Sequence, residues 1–165
     1  MTGKIKCQHL SSHTMKYWLA KQEPSGLRGY SFEQFAKDKK TVWDGVHNNL
    51  ALKHMRTMKK GDLVLYYHTG TERQAVGIMK VVSDPYPNPE EKDDRFVVVD
   101  VKYERPLTHP VRLDAIKADS RFAGWDLLRI SRLSIVPVTA RIWSCFSRCQ
   151  RLIKDLCNVN ALGNT

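Results

Sequence analysis

Three apolar runs set the terms for any fold of this chain. DLVLYYH (Asp62 to His68) and AVGIMKVV (Ala75 to Val82) are rich in aliphatic, β-branched and aromatic residues, and only TGTERQ separates them. A turn that short makes the two runs antiparallel neighbours in a sheet. The third, FVVVDVKYERPL (Phe96 to Leu107), is the longest strand candidate. It follows SDPYPNPEEKDD, whose prolines and acidic cluster form a loop that breaks the sheet.

The remaining segments arrange themselves around those strands. KYWLAK reads as a strand that Glu23-Pro24-Ser25-Gly26 ends. In SFEQFAKD, Ser31 and Gln34 form a capping box, and Phe32 and Phe35 make the inner face of a short helix. LALKHMRTMKKG predicts a helix with Leu52, Met55 and Met58 or Lys59 along one face; Lys59 and Lys60 sit at the negative end of its dipole and Gly61 closes it. VRLDAIKADSRFAGWDLL predicts one or two short helices, and SRLSIVPV a last strand. Thr139 then caps a final helix with Ile142, Phe146, Cys149, Ile153 and Leu156 as its apolar stripe. Strands with helices inserted irregularly make an α+β fold around a mainly antiparallel sheet, closed or nearly closed into a barrel.

At 165 residues the chain is one domain's length, and 27 Lys+Arg against 17 Asp+Glu gives a net charge of +10. That excess favours polyanionic partners, nucleic acid ahead of an anionic membrane surface. No apolar run is long enough to span a bilayer and no secretory leader pattern is visible, so the expected location is intracellular, in nucleus or cytoplasm. Residues 1–14 carry Lys4, Lys6, His9 and His13 with no acid and no arginine, which reads as a disordered basic tail rather than an organelle leader. Cys7, Cys145, Cys149 and Cys157 form no CxxC, and the last three have no nearby histidine, so reduced cysteines are expected and no metal site.

GxGxxG, GxxxxGK[ST], HExxH and GxSxG are all absent, which leaves a catalyst without a motif. A pocket for a nucleobase needs other parts: flat rings to stack on, amides to read an edge, and positive charge outside for phosphates. Trp18, Trp43, Tyr66, Tyr67, His68 and Trp125 supply rings, Asn48 and Asn49 supply amides, and Lys21, Lys53, Arg56, Lys59 and Lys60 supply charge. Each also has a structural role open to it. Trp18 and Trp125 suit a core, consecutive Tyr66 and Tyr67 point to opposite faces of a strand, and Asn48 suits the N-cap of the helix that follows.

Taken in order, KYWLAKQEPSG, SFEQF, VWDGVHNNLALKHMRTMKKGDLVLYYHTG, AVGIMKVVSDPYPNP, RFVVVDVKYERPL and IKADSRFAGWDLLRISRLSIVPVT resemble the EVE domain family over residues 15–143. The resemblance leaves residues 144–165 as a helical extension and tail. It implies a PUA-like β-pseudo-barrel related to YTH and ASCH domains. It also implies a non-catalytic module for a modified base, of the methylated cytosine or adenine type, in DNA or RNA. No cofactor is implied, and a monomer is the default. Carried over by motif, the base-binding residues are Trp18, Lys21, Trp43, Gly45, Val46, Asn48, Tyr67 and His68. Lys53, Arg56, Lys59 and Lys60 are the phosphate-contacting candidates. His47 replaces the arginine usual in WDGVRN, and Asn49 stands where an aromatic residue is frequent. Two other functions stay open: a nucleic-acid-processing enzyme of low activity using Glu23, Asp44 or His68, and an adaptor that uses the C-terminal helix.

Overall fold

The three apolar runs form the middle of a single curved sheet. In a computed structural model that describes residues 14–148, the elements in chain order begin with β1 (Tyr17–Gln22), α1 (Phe32–Asp38), β2 (Lys40–Trp43) and α2 (Asn49–Thr57). There follow β3 (Leu63–His68), β4 (Gln74–Val81), β5 (Tyr86–Pro87) and β6 (Val97–Arg112). Last come α3 (Leu113–Ala118), a 3-10 turn (Ser120–Phe122), α4 (Asp126–Arg129), β7 (Ile135–Val138) and a helix α5 from residue 140 through 148.

The strand order is β2-β6-β4-β3-β1-β7, with β5 also on β6. Every pairing is antiparallel except β1 with β3, where Trp18 stands opposite Val64 and Lys21 opposite Tyr67. That parallel pair needs a long crossover, which α1, β2 and α2 provide. The sheet is mixed and does not close: β2 and β7 are its two edges and no ladder joins them. The expected barrel is therefore a pseudo-barrel, and α2 lies across the gap, touching β6 on one side and β7 on the other.

Three local expectations change. β6 runs five residues past Leu107 to Arg112, through Pro110, and already contains Pro106. Pro106 faces Gly77 where the β4–β6 register slips, a place where a missing N–H costs no ladder bond. Gly77 also leaves room for a ring: a Cβ there would fall within 2.0 Å of Phe32. β2 and β5 are strands without a clear signal in the sequence. Finally, α2 stops at Thr57 rather than Gly61, with Met58 already extended (φ −63°, ψ 151°).

Asp62 accounts for that early stop. Its fully buried carboxylate accepts hydrogen bonds from the Lys59 amide at 3.1 Å, the Lys16 amide at 3.0 Å and the Trp18 indole at 2.9 Å. One side chain thus fastens the end of α2, the approach to β1 and the start of β3. An anion this deep is tolerable because donors surround it.

The inside of the curve is aromatic. Tyr66, with no exposure, meets Phe32, Phe35 and Trp43 at centroid distances of 5.2, 5.7 and 5.4 Å. Its hydroxyl donates to the Tyr30 carbonyl at 2.6 Å, and burial pushes the phenol's pKa well up. The outside is covered by α5, whose Trp143 stacks on Tyr17 at 4.4 Å while Phe146 meets Phe122 and Trp125. Thr139 caps α5 as expected, its hydroxyl accepting from the Ile142 amide at 3.2 Å. Cys7, Cys149, Cys157, Ile153 and Leu156, and all but the last residue of the 1–14 tail, lie outside the described residues.

His54 of α2 packs edge-on against Trp18 at 6.0 Å, and its buried Nε2 has no hydrogen-bond partner. Burial lowers its pKa from 6.5, with Asp126 opposing and Lys53 reinforcing the shift. A depressed native pKa means the unfolded chain takes up protons first. Stability is then complete above pH 6.5 and declines as pH falls toward the native value. Urea midpoints between pH 7.5 and 5.5 should drop, and His54→Gln should flatten that slope.

Candidate nucleic-acid interface

The gap between the sheet edges opens into a cavity of about 630 Å³. Its wall comes from both edges and the loops above them: Trp43 to His47 after β2, Lys21 and Gln22 of β1, and Ser134 before β7. Arg28 of the β1–α1 loop and Asn88, Glu90 and Glu91 of the β5–β6 loop complete it. Trp43 enters from the end of β2, opposite Val99, with its ring set at 89° to Tyr66. The chain then leaves the strand through Gly45 at φ +68°, a left-handed conformation that glycine adopts without strain. This turn brings Asp44, Val46 and His47 to the cavity.

The lining is mixed in charge. Lys21, Arg28 and His47 face Asp44, Glu90 and Glu91 across it. His47 donates through Nδ1 to the Gly45 carbonyl at 3.0 Å, sets Nε2 3.6 Å from Glu91, and meets Phe96 edge-on at 5.1 Å. It therefore ties the β2–α2 turn to the β5–β6 loop. Arg56 holds the same loop from α2 by donating to the Arg95 carbonyl.

Of the eight base-binding candidates, the fold brings Lys21, Trp43, Gly45 and Val46 to this cavity. Trp18 is 4 % exposed and occupied by Asp62, so its ring belongs to the core. Asn48 takes the role open to it on local grounds: it caps α2, its Oδ1 accepting from the Leu50 and Ala51 amides at 2.9 and 3.0 Å. His68 is buried inside the sheet. Its Nε2 accepts from the Phe32 amide at 3.1 Å, and its Nδ1–H donates to Glu72 at 2.6 Å. That contact holds the Glu72 carboxyl below its usual range. Tyr67 lies on the opposite face of β3 and lines a different cavity. Lys53, Arg56, Lys59 and Lys60 are exposed on or just after α2, and none lines the Trp43 cavity.

Gln22, Arg28, Asn88, Glu90, Glu91 and Ser134 were not singled out by sequence. Each lies in a loop or at a strand end with no motif of its own, and only the long-range pairings converge them. Among the described residues no group of three or more His, Cys, Asp or Glu is placed to hold a metal ion. No helix there is long and apolar enough to cross a membrane.

Comparison with known proteins gives this geometry a context. Human thymocyte nuclear protein 1 is 30 % identical over 163 residues, covering 80 % of this chain and 71 % of the human one. The structure of human THYN1 in complex with 5-methylcytosine-containing DNA superposes with a TM-score of 0.75 at 27 % identity, covering 82 % of this chain and 97 % of that one. Rpa0253 from Rhodopseudomonas palustris superposes at 0.77 with 38 % identity, over 84 % and 94 % of the two chains. The YTH domain of Zygosaccharomyces rouxii MRB1, at 0.51 and 13 % identity over 84 % and 88 %, shares the fold alone. With the EVE domain pattern matching residues 16–149, this chain belongs to the EVE domain family.

Proposed function

We propose that this protein is a non-catalytic module that binds DNA or RNA by taking up a modified base, of the methylated cytosine or adenine type. The observation that carries the reading is the Trp43 cavity at the open seam of the sheet. Its size suits a small planar ligand. Trp43 and Val46 offer apolar surface to a methyl group, and Asp44, Glu90 and Glu91 can accept from an exocyclic amino group. The same carboxylates repel phosphate, so the backbone stays outside while a flipped or single-stranded base enters. Family membership supports this reading, as does the human relative's complex with 5-methylcytosine DNA.

The catalytic alternative loses ground because His68 has both ring nitrogens engaged and Glu23 accepts from the Thr69 hydroxyl at 3.3 Å. The adaptor reading loses its described surface, since Ile142, Cys145 and Phe146 are buried against the domain. A nuclear location, as in the relatives' name, and a monomeric state belong to the proposal.

The test is fluorescence anisotropy on single strands carrying 5-methylcytosine, N6-methyladenine or neither. Burying one methyl group contributes about 0.8 kcal/mol, so about a fourfold preference for one modified strand is expected. Equal affinity for all three would overturn base reading.

A further inference from the structure

On the other face of β1 and β3 lies a second cavity, of about 340 Å³, whose lining contains no carboxylate. Register partners Lys21 and Tyr67 stand side by side in it, with Leu113 and Leu127 as apolar walls and Arg73 and Lys117 at the rim. Tyr67 is only 3 % exposed as a residue, but its hydroxyl is not sealed from solvent and makes no hydrogen bond within the described residues. The Lys21 ammonium spends one proton on the Ser131 carbonyl at 2.8 Å and keeps two for another acceptor.

Arg73 sits close enough for its charge to act on the phenol, countering the effect of burial. Its backbone is left-handed (φ +44°), and its carbonyl accepts from the Leu113 amide at 2.8 Å, which fixes where the side chain starts. A solvated basic face is the ordinary explanation for arginines and lysines. Arg73 and Lys117 form no ion pair among the described residues, as several other exposed cations do not, and what sets them apart is their place at the rim of this cavity. Three cations and the Tyr67 hydroxyl converge on a cavity whose own lining holds no acid, with Glu23 behind Thr69 and Gly70 and Asp114 in the neighbouring hollow that shares Arg73 and Lys117.

We propose that this cavity is an anion site that takes a backbone phosphodiester of the bound strand, adjacent to the nucleotide whose base occupies the Trp43 cavity. Lys21 lines both cavities, so base and phosphate are held on either side of one residue. The assignment rests on the base-reading function for its adjacency. It moves the phosphate role from the α2 lysines to Arg73, Lys117, Lys21 and Tyr67. Phosphate contacts of this kind position a strand without reading its sequence.

The experiment uses the full chain, the double variant Arg73→Gln/Lys117→Gln and, separately, Tyr67→Phe, with the same oligonucleotides. The exposed pair can be changed without touching the core. The double variant should bind modified and plain strands about tenfold more weakly, with the preference between them unchanged. Its log–log salt slope should be shallower by about 0.7 for each phosphate left unneutralised. Tyr67→Phe should weaken both strands by a smaller factor. A neutral methylphosphonate at a linkage flanking the modified base should weaken the unmutated protein and leave the double variant indifferent. Variants that bind like the unmutated protein, or no effect of the neutral linkage at either flank, overturn the proposal. So does inorganic phosphate that binds the unmutated protein but not the variant while oligonucleotide binding is the same for both, since the site then serves free phosphate. If the unmutated protein has no preference for a modified base, the base-reading function fails alone, and the charge arms still decide the phosphate site.

Discussion

Asp62→Ala is expected to lower the unfolding free energy by about 3–5 kcal/mol, read from urea denaturation at pH 7. The carboxylate is fully buried and accepts from the Trp18 indole, the Lys16 amide and the Lys59 amide. Truncation leaves those donors unpaired in a fully buried site and opens a cavity under β1. Trp18→Phe removes one donor and keeps the ring's packing, so its cost should be about 1–2 kcal/mol. If the indole–carboxylate bond is the coupling, the double variant should be less destabilised than the two single losses added together. Additive losses would assign Trp18 a packing role only.

Trp43→Leu is expected to abolish the preference for a modified strand while plain-strand binding falls less than twofold. The ring is 6 % exposed and set edge-on to Tyr66, so it belongs to the core and to the cavity wall together. The substitution should also cost about 2–4 kcal/mol of stability, so binding is to be compared at low temperature with far-UV circular dichroism confirming the fold. Asn48→Ala is the informative contrast. Its oxygen is committed to two amides of α2, so the expected result is about 1 kcal/mol of lost stability with the preference retained. A Trp43→Leu protein that still discriminates would move the base elsewhere.

Legibility differed between the fold and the site. The β3–β4 hairpin, the N-caps at Ser31 and Thr139 and the apolar face of α2 are signals spanning a few residues, and they appear in the structure where the sequence puts them, although the Gln34 side chain bonds Asp38 instead of closing a capping box on Ser31. β2 was hidden because KTVW is short, sits on a sheet edge and buries only Trp43. The overrun of β6 was hidden because Pro110 normally ends a strand, while Pro106, already inside the expected strand, is admitted by a register slip opposite Gly77. Tyr66 and Tyr67 were rightly assigned to opposite faces, but which face held a cavity needed the fold. Of the residues carried over by resemblance, Trp43, Gly45, Val46 and Lys21 meet at one cavity, whereas Trp18, Asn48 and His68 lie away from it with polar atoms engaged within the protein. Glu90, Glu91 and Arg28 had no local signature at all.

His47 also looks different in three dimensions. An arginine there would keep its charge wherever Glu91 is ionised, whereas histidine forms that ion pair only when protonated. The tether between the β2–α2 turn and the β5–β6 loop is thus weaker in this chain, and that loop supplies two of the cavity's three carboxylates.

The unclosed sheet has one further consequence, for the mechanics of entry. In a sealed barrel, admitting a base between strands would mean breaking ladder bonds, each part of a cooperative network. Here β2 and β7 share none, so the two margins can part or approach by a hinge at the turns while every strand keeps its neighbours. Helix α2 is the wedge that sets their separation. Uptake and release of a ligand then draw on loop and helix motion alone, and the strands behave as a rigid frame around a mouth that was never stitched shut.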